Sequence, residues 1–123
     1  IVNTAEYCSD IITGLANNIS NKLDDSFSSK VDMDSEQGYF MKVLTSAINY
    51  MTQIVDRRID PHFQQITKAN WQPNAISGDY SEYVHFLSDI LIKLVLNIKP
   101  ILSESYFVFY LNKQVQALAG RLT

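Results

Sequence analysis

The sequence predicts an all-α protein that folds as an antiparallel helical bundle. Along most of the chain, apolar residues recur at spacings of three and four, which is the periodicity of one helical face. Only 4 glycines and 3 prolines interrupt the 123 residues, so long helices can form where a β-protein would need frequent turns. The 46% of hydrophobic residues can build a core, and the length predicts a single module over residues 1–123.

The first predicted helix begins near Ala5 and ends near Asp24, where the sequence becomes polar. Its apolar residues share one helical stripe: Ala5, Cys8, Ile12, Leu15, Ile19 and Leu23. The stretch that follows, as far as Asp34, is rich in Ser and Asp and therefore predicts a loop.

The second predicted helix begins at Ser35 or Glu36 and ends before Pro61. Its apolar positions are Phe40, Val43, Leu44, Ala47, Met51, Ile54 and Val55. Proline lacks a backbone N–H and clashes with the preceding turn, so we expect a stop or a kink near Ile59 and Asp60.

Beyond this break, Asp60 and Pro61 are suited to cap and begin a short helix that carries Phe63 and Ile66. An aspartate in the cap position accepts backbone N–H bonds, and a proline in the first turn loses no intrahelical bond. The sequence therefore predicts a separate short helix after the second long one.

The segment from Gln72 to Ser81 carries the strongest turn signal of the chain and predicts a reversal. Trp71 lies beside it, and we expect its ring to anchor the loop on the bundle. Asp79, which follows Gly78, is the predicted N-cap of the helix that contains Tyr83. Trp71, Gly78, Asp79 and Tyr83 thus form a candidate structural motif.

The third long helix is predicted from about Tyr80 to Pro100, which interrupts it. Its apolar positions are Tyr83, Val84, Leu87, Ile90, Leu91, Leu94, Val95 and Ile98. A last helix follows Pro100, with the apolar positions Phe107, Leu111, Val115, Leu118 and Leu122.

The run from Tyr106 to Leu111 is apolar around the whole circumference of this last helix. One neighbouring helix cannot cover such a run, so it is either enclosed on several sides or partly a contact surface. Enclosure is the commoner arrangement. For the second alternative, the candidate contact residues are Tyr106, Phe109 and Tyr110.

Residue types that could support catalysis or hold a metal do not occur in a workable pattern. The acidic residues alternating over 32–36 are typical of the start of a calcium loop, but the Gly and Glu needed later in such a loop are missing. His85, Ser88 and Asp89 lie at i, i+3 and i+4 of one predicted helix, which does not provide a strained nucleophile with an oxyanion hole. We therefore expect no enzyme activity, no cofactor and no metal.

Charge and cysteine content narrow the class of protein further. A net charge of −3 and a pI near 5.2 argue against a nucleic-acid partner, since binding phosphates requires clustered Lys and Arg. The single cysteine, Cys8, fits a reducing compartment such as the cytosol. The longest apolar segment, Phe86 to Leu102, is interrupted by charges and is shorter than the ~20 residues of a membrane span. The chain begins with Ile1, so we expect it to be a fragment.

Two stretches resemble a known family. They are Asn3-Thr4-Ala5-Glu6-Tyr7-Cys8, and Trp71-Gln72 followed by Gly78-Asp79, Ser81 and Tyr83. Both resemble the C-terminal region of the vacuolar protein sorting-associated protein fifty-three family, subunits of the Golgi-associated retrograde protein (GARP) tethering complex. The spacing of Trp71 and Tyr83 is also similar to that in the exocyst subunit of the Sec fifteen family.

The resemblance implies one module of an elongated, helical-rod tether leg and brings no catalytic residues. It implies vesicle tethering in endosome-to-trans-Golgi retrograde transport, at the cytosolic face of the trans-Golgi network and endosomes, with peripheral membrane association through the complex. Other tethering-complex subunits are the implied partners, with fusion proteins or small GTPases on carriers as further ones. The alternatives are a leg of another helical tether, such as exocyst, and a helical adaptor domain unrelated to trafficking.

Overall fold

The computed structural model describes residues 1–68 and 82–122, and within these ranges 86% of the residues are helical and none lies in a strand. The all-α class predicted from the sequence is therefore confirmed. The helices are α1 (Val2–Ser20), α2 (Asp25–Ser28), α3 (Asp34–Lys68), α4 (Glu82–Ile98) and α5 (Glu104–Leu122). No helix of the described part is long and apolar enough to cross a membrane.

The chain divides into two compact units, unit 1 (Ile1–Tyr50) and unit 2 (Met51–Thr123). Unit 1 contains α1, α2 and the first part of α3, and unit 2 contains the rest of α3 with α4 and α5. The prediction of a single module over residues 1–123 stays a prediction.

In unit 1, α1 begins three residues before the predicted start and buries Val2, Ala5 and Ser9, which lie at i, i+3 and i+7. Two of these buried side chains, those of Ala5 and Ser9, are small. The predicted stripe is wrong at its far end: Leu15 is exposed, and Leu23 lies beyond the helix and is exposed too. The core of unit 1 also includes Leu44 and Ile48 of α3.

The stretch after α1, predicted as a loop, contains the single turn α2. Asp24 has an extended backbone, and its carbonyl accepts the N–H of Phe27 at 2.8 Å and of Ser28 at 3.0 Å. The Ser28 hydroxyl donates to the carbonyl of Asp25 at 3.1 Å. Backbone bonds to Asp24 and the Ser28 hydroxyl therefore hold one helical turn within the polar stretch, and no residue of that turn lies in the core.

α3 runs through Pro61 to Lys68, so of the two alternatives expected near Ile59 the helix stop is wrong, and so is the separate short helix after it. Proline inside a helix costs about 3 kcal/mol because one hydrogen bond is lost and the ring crowds the preceding turn. Ile59, two residues before the proline, is completely buried, so the helix remains attached to the core on that side.

Contacts with the other helices of unit 2 hold α3 on both sides of Pro61. The ring of His62 stacks on that of Phe86 of α4, with 3.5 Å between centroids. Arg121 of α5 forms an ion pair with Asp60, whose exposure makes the pair worth little by itself. Tertiary contacts of this kind offset the cost that local sequence alone assigns to the proline.

The contacts of unit 2 define the directions of its three helices. His62, late in α3, faces Phe86, early in α4, so these two helices are antiparallel, as predicted. α5 is parallel to α3, because Gln114 bonds to Asp56 and Arg121, further along α5, bonds to Asp60, further along α3. Unit 2 is thus an up–down–up bundle.

The break between α4 and α5 lies where the sequence predicts it, at Pro100. The carbonyl of Ile98 accepts the N–H of Ile101 at 3.0 Å and of Leu102 at 3.2 Å, which closes a tight turn around the proline. Leu102 is buried and attaches this turn to the core.

Candidate functional site

The three residues predicted as a contact surface lie in different environments. Tyr110 is 0% exposed, so its ring is enclosed by the helices of unit 2. Phe109 lies at the surface, where the ammonium group of Lys113 is 5.7 Å from the centre of its ring. Tyr106 is half-buried. One helical turn thus carries both an enclosed and an exposed residue of the apolar run, and the contact role of Tyr106, Phe109 and Tyr110 stays a prediction.

Tyr110 belongs to a buried polar cluster that connects α5 to α3. Its hydroxyl donates to Oε1 of Gln114 at 3.2 Å, and Nε2 of Gln114 donates to Oδ1 of Asp56 at 3.2 Å. Gln114 is only 2% exposed, so both of its polar ends are satisfied inside the core. The cluster fixes the register of α5 on α3, because any slip would leave a buried amide without partners.

Burial and then the negative charge of Asp56 raise the pKa of Tyr110 from 10.0 to about 12. Burial removes the water that would stabilise a phenolate, and the carboxylate repels it. Tyr110 is therefore a neutral hydrogen-bond donor over the physiological pH range, a structural rather than a reactive role.

Arg121 extends the connection between α5 and α3 towards the surface. Its guanidinium pairs with Asp60, and Nη1 donates to the carbonyl of Asp56 at 3.3 Å. The same group lies 4.7 Å from the centre of the Phe63 ring, within the range of a cation–π contact. About three helical turns of α5 are thus held to α3, by the Tyr110 cluster at one end and by Arg121 at the other.

A groove of about 300 Å³ lies among the three helices of unit 2. We call it the unit 2 groove, and it is lined by Met51, Ile54, Val55, Arg58, Ile90, Lys93, Leu94, Asn97, Ile98 and Tyr110. Val55 and Tyr110 are buried at its floor, whereas Ile54 is exposed on the α3 wall. Seven of its ten lining residues are aliphatic or aromatic, and none is acidic. Its other three lining residues are Arg58, Lys93 and Asn97.

A second groove, of about 430 Å³, lies in unit 1 between α1, the segment 29–33 and the start of α3. Nε2 of Gln37 donates to Oγ1 of Thr13 at 3.0 Å across it. Asp32, considered above as a calcium ligand, instead accepts the N–H of Asp34 at 2.8 Å and orders the entry to α3. Within residues 1–68 and 82–122 no group of three or more His, Cys, Asp or Glu side chains could hold a metal ion.

The residue types of a triad in α4 do not come together as one. Asp89 pairs with Lys93 at 4.0 Å, one turn further along α4. His85 and Ser88 are exposed on the same helix. That the chain has no enzyme activity and no cofactor stays a prediction.

Trp71, Gly78 and Asp79 lie outside the described residues, and of Tyr83 only the backbone, within α4, is described. The anchoring of Trp71 and the capping by Asp79 therefore stay predictions. The residues that sequence reasoning missed are Asp56, Gln114 and Arg121. Gln114 lies one turn after Tyr110, so a polar residue on a helical stripe that also carries an aromatic residue was the signal that could have found it.

The chain is similar to two proteins named for vacuolar protein sorting. It is 31% identical over 121 residues to "Vacuolar protein sorting-associated protein 53 A" of Arabidopsis thaliana, an alignment that covers 98% of this chain and 15% of that protein. It is 26% identical over 123 residues to "Vacuolar protein sorting-associated protein 53 homolog" of Caenorhabditis elegans, with the same two coverages. The chain therefore spans about 15% of the length of these relatives. No family model and no solved structure matches it.

Proposed function

The chain is a homologue of the C-terminal region of vacuolar protein sorting-associated protein 53, and on this premise we propose that it is a module of a vesicle-tethering subunit. The resemblance noted from its motifs is thereby confirmed at the level of the family. The observation that supports the proposal is the similarity to these relatives along 98% of the chain. The tether we propose is the GARP complex, acting in retrograde transport from endosomes to the trans-Golgi network.

We propose that the module acts through protein–protein contacts and not through catalysis. A tether must hold two membranes by its contacts with proteins on each, so it needs rigid helices with defined surfaces. The cluster of Tyr110, Gln114 and Asp56 supports this role, because it fixes α5 on α3 and so shapes the surfaces of unit 2. Other subunits of the complex are the proposed partners, with fusion proteins or small GTPases on carriers as further ones.

The proposed location is the cytosolic face of the trans-Golgi network and endosomes, reached through the complex as a peripheral association. The test is to isolate the full-length parent protein from cells and identify what co-purifies with it. We expect subunits of the retrograde tethering complex in stoichiometric amounts. Recovery of exocyst subunits in their place, or of no tethering subunit, would contradict the proposal.

A further inference from the structure

We propose that the unit 2 groove binds a short amphipathic helix of a partner protein, with apolar anchor residues one turn apart and carboxylates along both flanks. The inference rests on the proposed function and deepens it by naming the chemistry of one partner. It is argued from the shape of the groove, the exposure of its walls and the charges at its rim.

The shape of the groove suits two turns of helix. The α3 wall extends from Met51 to Arg58 and the α4 wall from Ile90 to Ile98. At 1.5 Å per residue each wall is about 12 Å long, which is slightly more than two helical turns. The volume of about 300 Å³ is at the lower limit of ligand sites and accommodates a few side chains rather than a whole domain. Helices that bind in grooves use anchors spaced at i, i+3 and i+4, which matches this length.

The walls expose apolar surface that a partner would remove from water. Ile54 is 39% exposed although it lies on the helix that also carries the buried Val55. Met51 and Leu94 are half-buried and line the same groove. Apolar side chains on a partner helix would complete the burial of these three residues, which is favourable in proportion to the area covered.

The charges at the rim indicate which kind of helix fits. Arg58 on α3 and Lys93 on α4 carry positive charge on opposite walls, and no lining residue is acidic. In the described part of the chain, no carboxylate lies within ion-pair distance of Arg58. Lys93 is 4.0 Å from Asp89, but both side chains are more than 70% exposed, so this pair is easily exchanged for another. Carboxylates flanking the apolar anchors would therefore complement both walls.

A lipid surface fits this groove less well than a helix does. Polybasic segments that bind anionic membranes present clusters of about 4–8 cations, whereas this rim has two, separated by a concave apolar floor. The net charge of the chain is −3, which disfavours general attraction to an anionic surface.

The test uses this chain and a fluorescein-labelled helical peptide of about 18 residues, a length at which isolated helices begin to be stable. The peptide carries Leu at the anchor positions and Glu on both flanks, and a matched peptide carries Lys in place of each Glu. We expect saturable anisotropy with the Glu peptide and binding at least about tenfold weaker with the Lys peptide, because the rim repels it. Equal affinity for both peptides, or no saturation with either, would overturn the proposal.

Charge reversal locates the binding site. We expect Arg58→Glu and Lys93→Glu each to lower the affinity for the Glu peptide about fivefold. This is the scale of one exposed ion pair that is lost and one repulsion that is gained. Each should also strengthen binding of the Lys peptide, which a merely damaged fold would not do. Arg57→Glu is the control, since Arg57 is an exposed neighbour on α3 outside the groove. The same loss with Arg57→Glu would overturn the assignment to the groove.

Other occupants give different results. A concentration-dependent doubling of mass by light scattering that Arg58→Glu abolishes would mean a second copy of this chain and would overturn the proposal. Binding of the chain to phosphatidylserine vesicles would also overturn the proposal if the Glu peptide did not compete with the vesicles. The unchanged full-length parent separates the two proposals. If the tethering subunits co-purify with it but the Glu peptide fails to bind, only the groove proposal is lost, whereas their absence from the unchanged parent refutes the proposed function whatever the peptide does.

Discussion

Tyr110 combines complete burial with a hydroxyl that must find a partner inside the core. It finds Gln114, whose amide in turn reaches Asp56, so one hydrogen-bonded chain connects two helices. Clusters of this kind contribute little net energy but penalise every alternative packing, since a misplaced helix leaves polar atoms buried without partners. These three side chains therefore contribute to the specific packing of α5 on α3.

Replacing Tyr110 by Phe tests this cluster. The change keeps the ring but removes the hydroxyl, so Oε1 of Gln114 loses its donor, and we expect a loss of about 1–2 kcal/mol in the free energy of unfolding at pH 7. Urea denaturation followed by circular dichroism measures it. Phe109→Leu at the surface of the same turn is the control and should change the value by less than about 0.5 kcal/mol.

The raised pKa of Tyr110 predicts how stability depends on pH. The folded-state pKa of about 12 exceeds the unfolded value of 10.0, so the folded state favours the neutral phenol. This contribution is fully present below pH 10 and is lost as the pH rises through 10 towards 12. At ~1.4 kcal/mol per pKa unit, its size is up to about 3 kcal/mol.

The measurement is the difference in unfolding free energy between the unchanged chain and Tyr110→Phe at several pH values. Other tyrosines and lysines titrate in the same range, but they are common to both chains and cancel in this difference. We expect the advantage of the unchanged chain to shrink between pH 10 and 12. A difference that stays constant over this interval would show that the Tyr110 pKa is not raised.

At the scale of helices, α3 continues through a proline because tertiary packing outweighs the local preference of proline for a helix end. Pro61 marks a helix stop by its chemistry, yet the helix continues because Ile59 is buried and the ring of His62 stacks on Phe86. A proline in the middle of a helix is tolerated when contacts on both sides keep its flanks in place. The helical assignment beyond Pro61 therefore depends on α4 and α5.

Pro61→Ala should stabilise the chain. Alanine restores the missing N–H and relieves the crowded turn, which should raise the free energy of unfolding by about 3 kcal/mol. Alanine also gives the unfolded chain more conformational freedom than proline does, and this lowers the gain by up to about 1 kcal/mol. We expect a net gain of about 2 kcal/mol by thermal or urea denaturation. Pro100→Ala, in the turn between α4 and α5, is the control and should not stabilise. No gain at Pro61 would mean that α3 is interrupted there in solution.

Asp79→Ala tests the predicted start of the helix that contains Tyr83. A carboxylate at the cap accepts N–H bonds and complements the helix dipole, so its loss should cost about 1 kcal/mol. Asp79→Asn retains a capping side chain and should lose much less. An unchanged denaturation midpoint for Asp79→Ala would place the helix start elsewhere.

For the whole molecule, we expect this region to contribute contacts and not to join the subunits of a complex. The sequence lacks a sustained heptad pattern with paired flanking charges, the feature on which joining coiled coils depend. Deleting the region from the parent protein should leave partner subunits co-purifying and slow the return of retrograde cargo to the Golgi. Loss of the partners would refute the first expectation, and normal cargo return would refute the second.

The amino-acid sequence by itself determined the helical class, the approximate extent of α1, the turn at Pro100 and the family. These features depend on local periodicity, on the chemistry of proline and on short motifs, all of which are present before the chain folds. The burial of Leu44 and Val55 followed from the same periodicity.

Only the tertiary structure decided which face of each helix is buried in the core and that α3 continues through Pro61. In α5, the predicted Val115 is 62% exposed, whereas Gln114 beside it is buried, because Asp56 on α3 offers the amide a partner. The separation of Tyr110 from Phe109 was decided in the same way. A helical segment that is apolar around its whole circumference has no face that its sequence marks as buried. The position of the neighbouring helices therefore determines which of its residues are enclosed and which lie at the surface.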